Sequence, residues 1–588
     1  MKENREKGRT LRENFRVLKP FIMPYKWGYI IAMAMVVITC VALVVAPTFE
    51  GKITSSLVAD VEAGRPVAFG VIKRLAVVLI ITYSTKTVSQ IVEISCLTTS
   101  IQNAMHDLRE ALNKKIHRLP VRYFDRHKYG DVLSVLTNDV DTVSTALQES
   151  LMQIFSGIIM IIFAVCMMIS INGYMAIIAI MLIPLSLIAT KIIVSRSQKR
   201  FNAQQNALGE LNGAITEMYG GFQEILLYNR QEKSIEKFKE INSRLQKNAF
   251  SAQFMSSLIS PLISLCTYLI IGACAVTGSV YAISGAILVG QLQAFIRYIW
   301  QVNDPLSQVS QLSAQIQAAF AGMKRIVDLL SEKEEVPDSA PADISHIKGG
   351  VVFDHVKFGY GEGDIIKDFS LEVKPGEMVA VVGPTGAGKT TLINLLERFY
   401  DVQGGSIRID GTDVRDMTRD QLRSIFGMVL QDTWLFNGSI MENIRYGRMD
   451  ATDEEVYEAA KKANIHHFIT TQQGGYNMVL NEEGTNVSQG EKQLLTIARA
   501  FLKDPEILIL DEATSSVDTR LEKMLQDAMK KIMHGRTSFV IAHRLSTIRN
   551  ADKILLMQHG DIIEQGTHEE LMAKNGAYAA LYNAQFTR

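Results

Sequence analysis

The stretch GPTGAGKT, residues 383–390, points to a definite chemistry. It leaves the strand-like run MVAVV (378–382) and enters a helical pattern that begins TLINLL. The spacing G-x-x-x-x-G-K-T between a strand and a helix builds a phosphate cradle. Gly383, Gly386 and Gly388 let a loop that also holds Pro384, Thr385 and Ala387 turn its backbone N–H groups inward. The result is an anion nest at a helix N-terminus. Lys389 can reach the β- and γ-phosphates of a nucleotide. Thr390 offers a hydroxyl to Mg2+, and Thr391 continues the cradle into the helix. ATP with Mg2+ is the expected ligand.

Three further segments suit chemistry on that ligand. In ILILDEA, Asp511 and Glu512 follow four apolar residues. An Asp at the end of a buried strand can hold Mg2+, directly or through water, and the adjacent Glu512 can polarise an attacking water as a general base. In SFVIAH, His543 is a candidate γ-phosphate sensor; a lone histidine after a strand is usually structural, but this one has company. Gln431, in VLQDTWLF, can reach Mg2+ and the attacking water, although alone it would be uninformative.

These residues need elements to hold them. Residues 349–588 alternate strand-like and helix-like segments with ordinary charge, the pattern of an α/β domain. Before them, 331–348 (SEKEEVPDSAPADISHIK) is rich in Glu, Asp, Pro and Ser and lacks apolar periodicity, which marks a linker. Residues 1–330 hold six stretches near the ~20 residues of a membrane span, roughly 27–48, 74–96, 151–171, 173–194, 258–280 and 283–303. The second and sixth are the more polar. Basic residues crowd the segment before the first span and the stretches around Arg109, Lys114, Lys115, Arg118, Lys199 and Arg200. The turns SINGY and VYAISG carry no charge. Positive charge on one side places both termini in the cytoplasm of a multi-pass protein in the plasma membrane. The first apolar run starts too late and runs too long for a cleaved signal peptide.

Residues 97–150 and 195–257 show helical periodicity with few breakers, as if membrane helices continued far into the cytoplasm. Their tips, near 123–131 and 213–221, could touch another domain; solvated hairpins fit the periodicity equally well. Two polar stripes cross the spans. Lys86, Gln90 and Glu93 share one helix face, and Gln293, Arg297, Gln301 and Asp304 share another. Such stripes line an aqueous substrate path, pair within the bundle, or sit near the water interface.

A chain of 588 residues exceeds one ordinary domain, and its 47% apolar content averages two unlike halves. The formal net charge of 0 gives no reason to expect nucleic acid. The five cysteines, Cys40, Cys96, Cys166, Cys266 and Cys274, lie in or beside apolar runs without framework spacing and read as packing residues.

GPTGAGKT, Gln431, SQGE, ILILDEATSSVD and His543, in this order after six spans, resemble an ABC exporter half-transporter. LPVRYFDRHKYGDVLSVLTNDVD (119–141) is similar to the first intracellular loop of that family, and VGQLQAFIRYIWQVNDPL (289–306) to its sixth span. The resemblance covers nearly the whole chain. The implied fold is a membrane α-helical bundle of six transmembrane helices with long cytoplasmic extensions, fused to an α/β P-loop ABC nucleotide-binding domain. The resemblance also implies that Tyr360 stacks on adenine, that Asp518 belongs to a loop signalling across a dimer, that Glu482 contacts the partner's membrane helices, and that the two tips are coupling helices. An ATP-driven pump for a small molecule, drug, lipid or peptide follows, with two nucleotides held between two chains.

The family usually carries Leu-Ser-Gly-Gly-Gln where this chain has Val487, Ser488, Gln489, Gly490 and Glu491. Ser488 and Glu491 fit an S-x-x-E capping box, so the helix start is expected to survive. Gly490, the glycine that approaches phosphate, is kept. Glu491 brings a charge: two unit charges ~5 Å apart repel by roughly 3 kcal/mol at an effective dielectric of ~20. Since this segment serves the partner's nucleotide, an intact Glu512 beside an altered signature resembles one half of a heterodimer whose partner has a normal signature and no base. A homodimer that tolerates SQGE is the alternative.

Six spans on the same chain exclude a soluble ABC ATPase, and the fused order speaks for export over import. A nucleotide-gated channel is excluded only weakly. A peptide exporter with its own protease would need a further domain ahead of the first span. The sequence does not name the substrate.

Overall fold

The protein folds as two units, one of long helices and one built on sheets. The computed structural model describes residues 11–338, 341–361, 363–430, 433–481, 486–511, 519–541 and 548–586. One unit holds the chain up to Leu119 together with His127–Glu334. The other holds Pro120–Arg126 and everything from Glu335 on.

The described residues of the first unit form helices and no strand. Among the described residues, five helical runs are long and apolar enough to cross a bilayer: Arg16–Glu62, Phe69–Ile116, Tyr129–Ile171, Gly173–Gly220 and Gln231–Ile283. Each has 43 to 53 residues, so each extends well beyond its apolar segment. On the second run, Ile80, Ile81, Val88 and Ile91 are more than half exposed, an outer face suited to acyl chains. The sixth expected span is present as a helix, Val289–Ser331. It falls short of the others in apolar character because Gln291, Gln293, Arg297, Gln301 and Asp304 interrupt it. It is nonetheless an inner helix, for Phe295, Tyr298 and Ile299 are fully buried. The Tyr298 hydroxyl donates to Val44 O (2.9 Å), and Gln301 Nε2 donates to Leu43 O (2.8 Å). All five cysteines are free.

Two expected boundaries shift. The fifth helix continues through Ile283, so the turn to the sixth occupies 284–288. The helix Leu182–Gly220 passes straight through Gly213, and the second tip is the short helix Phe222–Leu227. A single exposed glycine costs a helix only about 1 kcal/mol, which the turns around it absorb.

The second unit is built on sheets. Its strands are β1 (Val351–Phe358), β2 (Ile366–Val373), β3 (Met378–Val382), β4 (Gly404–Ile409), β5 (Thr412–Asp413), β6 (Phe426–Val429), β7 (Gly438–Ser439), β8 (Val479–Leu480), β9 (Ile507–Asp511), β10 (Thr537–Ile541), β11 (Lys553–Gln558) and β12 (Asp561–Gly566). The main sheet runs β12-β11-β3-β10-β9-β6, with β2-β1-β4-β5 as a second sheet and β7-β8 as a short ribbon. From β11 to β6 every pairing is parallel, and only β12 is antiparallel. The central strands are near-continuous apolar runs because both faces are covered. Ala380, Val382, Leu508, Leu510 and Val540 enter one core, on the face covered by helices Gln489–Lys503 and Thr519–Met533. Val379, Val381, Ile509, Phe539 and Ile541 enter the other, shared with the second sheet and the helix Lys389–Leu396.

Candidate nucleotide site

Parallel pairing fixes where the motif residues go. In the main sheet Val381 pairs with Ile541, Ile541 with Asp511, and Leu510 with Val429. Four strands therefore end together at one carboxyl rim, where open α/β sheets bind ligands. β3 runs into Gly383, and β9 ends on Asp511 itself. Residues 512–518, 542–547 and 431–432 follow the other ends. Glu512, Asp518, His543 and Gln431 thus lie outside the described residues, as does Glu482.

The phosphate loop has the expected form. A Cβ on Gly383 would sit 2.3 Å from Met557 O, so the loop can turn here only with glycine. Gly388, at φ +101, caps the helix Lys389–Leu396 in the left-handed region. Leu392 N donates to Gly388 O (3.0 Å), the first bond of that helix. The N–H groups of Lys389, Thr390 and Thr391 precede it and have no intrahelical acceptor, which makes them anion donors. Leu392, Ile393, Leu395 and Leu396 anchor the helix in the core. Thr390 is exposed, whereas the Thr391 side chain is buried, so only the backbone of Thr391 is available to a ligand. Ala387 is buried, while Pro384, Thr385 and Gly386 stay exposed at the loop tip. The Lys389 ammonium donates to Gly383 O (2.7 Å) and Pro384 O (3.1 Å). Burial holds its pKa below the ordinary lysine range, and the Asp511 carboxylate pulls it back up. An anion nest, a lysine, a hydroxyl and a carboxylate at one rim fit a nucleotide triphosphate with a divalent cation.

Tyr360 follows β1. Its hydroxyl accepts from Asn394 Nδ2 on the phosphate-loop helix (3.2 Å), and its ring meets Phe358 and Tyr400 edge-on at 4.9 and 4.8 Å. Here the first tip enters. The helix Val121–Arg126 places Arg122 Nη2 3.0 Å from Tyr360 O, packs Val121 against the core, and bonds Asp125 to the Tyr400 hydroxyl. A tip touching the α/β unit was expected; its attachment to the tyrosine pair was not, because Tyr400 stands in no motif.

The altered signature behaves as its capping pattern requires. Ser488 caps helix Gln489–Lys503: Ser488 Oγ accepts from Glu491 N (3.4 Å), and Glu491 Oε2 accepts from Ser488 N (2.7 Å). Gly490 is buried and the Gln489 side chain is exposed. Among the described residues, no hydrogen bond or ion pair joins Ser488 or Gly490 to the phosphate loop. Sequence reasoning also missed Arg499 on this helix. It donates to Asn443 O (2.5 Å), Asn443 Oδ1 (2.6 Å) and Trp434 O (2.7 Å), and burial pushes its pKa down to about 10.

A phosphate loop at the carboxyl rim of a largely parallel sheet, on the same chain as long apolar helices, defines a membrane-embedded P-loop ATPase. The ABC transporter transmembrane region matches residues 29–306, and the ABC transporter family matches 366–515. A fatty acid ABC transporter ATP-binding/permease protein of Mycobacterium bovis is 43% identical over 526 residues, covering 89% of this chain and 83% of that one. An ATP-dependent lipid A-core flippase of Desulfotalea psychrophila is 35% identical, covering 98% and 100%. A bacterial Atm1-family ABC exporter solved with ATP bound superposes with a TM-score of 0.75 at 28% identity, covering 95% and 98%. The chain belongs to the ABC exporters, as a half-transporter with fused transmembrane and ATP-binding domains. It is a multi-pass membrane protein and a transporter ATPase.

Proposed function

We propose that this chain pumps an amphiphilic small molecule, lipid or drug out across the cytoplasmic membrane by alternating access, with both termini and the α/β unit in the cytoplasm. A peptide substrate is a lesser variant. Fatty acids and lipid A in the names of the relatives support an amphiphile. The observation that carries the reading is the common rim: Asp511 ends a strand paired in register beside the phosphate-loop strand, and Lys389 and Thr390 open the helix that follows that loop. In this reading Lys389 and the loop N–H groups bind the phosphates. Thr390, Asp511 and Gln431 hold Mg2+, whose charge would offset that of the phosphate oxygens. Glu512 is the general base, His543 senses the γ-phosphate, and Tyr360 takes the adenine. Ser488 and Gly490 serve the partner's nucleotide, and Asp518 links the two sites. Nucleotide binding favours one of two global states by making contacts only that state offers.

We infer that the partner is a different half-transporter, with a normal signature and a defective base. The Glu491 carboxylate at the head of the signature helix supports this, since it repels phosphate. A homodimer is the second reading, and the Ser488–Glu491 bond favours it by occupying part of that charge. The test is purification of the chain alone in lipid nanodiscs. Little ATPase and no transport until a second half-transporter is added supports the heterodimer; a fully active homodimer overturns it.

A further inference from the structure

The two polar stripes have different fates. Arg297 pairs with Glu50 (3.8 Å), which also accepts from the Tyr83 hydroxyl (2.8 Å), and Gln293 accepts from Thr54 Oγ1 (2.5 Å). That part is pairing within the bundle. The rest lines a cavity of about 420 Å³ in the first unit, whose lining includes polar Thr39, Lys86, Gln90, Glu93, Gln301 and Asp304 and apolar Val36, Leu43 and Met160.

Two buried side-chain oxygens in that lining have no hydrogen-bond partner. Thr39 is only 9% exposed and its Oγ1 is unpaired, although a helical threonine usually bonds back to its own helix. Gln301 Oε1 is likewise unpaired, while its Nε2 is taken by Leu43 O. Leaving such groups unsatisfied is costly, so a ligand that satisfies them is favoured. Gln301 Oε1 can only accept, which asks for a donor. Among the described residues neither Lys86 nor Glu93 has an ion-pair partner. The lining holds two carboxyl side chains and one amine, Glu93 and Asp304 with Lys86.

We propose that this cavity binds an amphiphile with a primary-amine head. The ammonium donates to Glu93, Asp304 and Gln301 Oε1, and the hydrocarbon lies against Val36, Leu43 and Met160. This rests on the amphiphile-pump reading and gives its substrate a charge. Lys86 opposes it electrostatically and sets a limit on affinity, which suits release.

The test uses the full chain in nanodiscs and two probes of equal chain length, a dansyl-labelled long-chain primary amine and the corresponding carboxylic acid. The amine is expected to bind at least about tenfold more tightly than the acid. Glu93→Gln and Asp304→Asn should each weaken amine binding about tenfold, Thr39→Val should weaken it severalfold, and Lys86→Gln should leave it equal or tighter. Thr39→Val, uncharged and nearly isosteric, keeps the test open should a carboxylate variant fail to fold. Tighter binding of the acid that Lys86→Gln abolishes would overturn the proposal, as would amine binding that no variant changes. Binding of a fluorescent ATP analogue by the same samples reports on the pump reading separately.

Discussion

Ser488 and Glu491 cap each other: the backbone N–H of each is bonded to the side chain of the other, at 2.7 and 3.4 Å. The carboxylate in the altered signature therefore has a structural task besides its charge. Glu491→Gln keeps both bonds, because an amide carbonyl accepts as well, and removes the charge. The melting temperature should hardly move, whereas affinity for an ATP analogue in the assembled dimer should rise about tenfold. An unchanged affinity would mean that the charge is not felt, and would remove the main support for an unlike partner.

Glu512 follows Asp511, which is paired in register with Ile541 beside the phosphate-loop strand. Glu512→Gln should leave nucleotide binding within about twofold and lower the ATPase rate of the assembled dimer by at least ~100-fold, as expected for loss of a general base. Substantial residual turnover, measured by phosphate release, would move the base elsewhere.

Glu397 caps the far end of the phosphate-loop helix. It is 5% exposed, and its Oε2 has no partner. Burial pushes its pKa up to about 7, while Arg423 and Lys503 pull it down. The folded state holds the proton more tightly than the unfolded chain does. This contribution to stability is therefore complete below about pH 4.5, falls as pH rises to about 7, and is absent above. A gap of that size corresponds to at most about 3 kcal/mol. Replacing Glu397 with Gln should stabilise the protein at pH 8 relative to pH 5, in paired chemical-denaturation curves. A difference between the two proteins that is flat with pH would place the titration on another group.

Much of the nucleotide site was legible because phosphate binding imposes local grammar. A glycine loop between a strand and a helix can be recognised without tertiary structure, and so can the Ser488–Glu491 cap. The two polar stripes were visible as periodicity. Their division was not, because the Glu50–Arg297 pair and the cavity beside Lys86 join residues from different helices. The second tip was misplaced because Gly213 reads as a breaker although a long helix tolerates it. Glu397 and Arg499 left no signal, since a charge in a helical pattern reads as surface until packing closes over it.

Tyr400 and Asp125 carry the last prediction. The Tyr400 ring is buried between Phe358 and Tyr360, and its hydroxyl meets the carboxylate of the first tip. Arg122 on the same tip holds the Tyr360 carbonyl. A displacement at the residue expected to stack on adenine thus has a direct path to the tip, and from there to the membrane helices that flank it. Removing the ring altogether would cost about 3–5 kcal/mol in lost packing and would say little about coupling. Tyr400→Phe keeps the ring and removes only the hydroxyl, and Asp125→Asn weakens the same bond from the other side. Both variants should fold and bind an ATP analogue within about twofold of the parent, while the increase in ATPase on adding substrate should fall severalfold, since a single hydrogen bond to a charged group contributes roughly 1.5–3 kcal/mol. If the two effects arise from one bond, the double variant should be no worse than the more severe single one. Stimulation that persists in all three would show that this contact only anchors the tip.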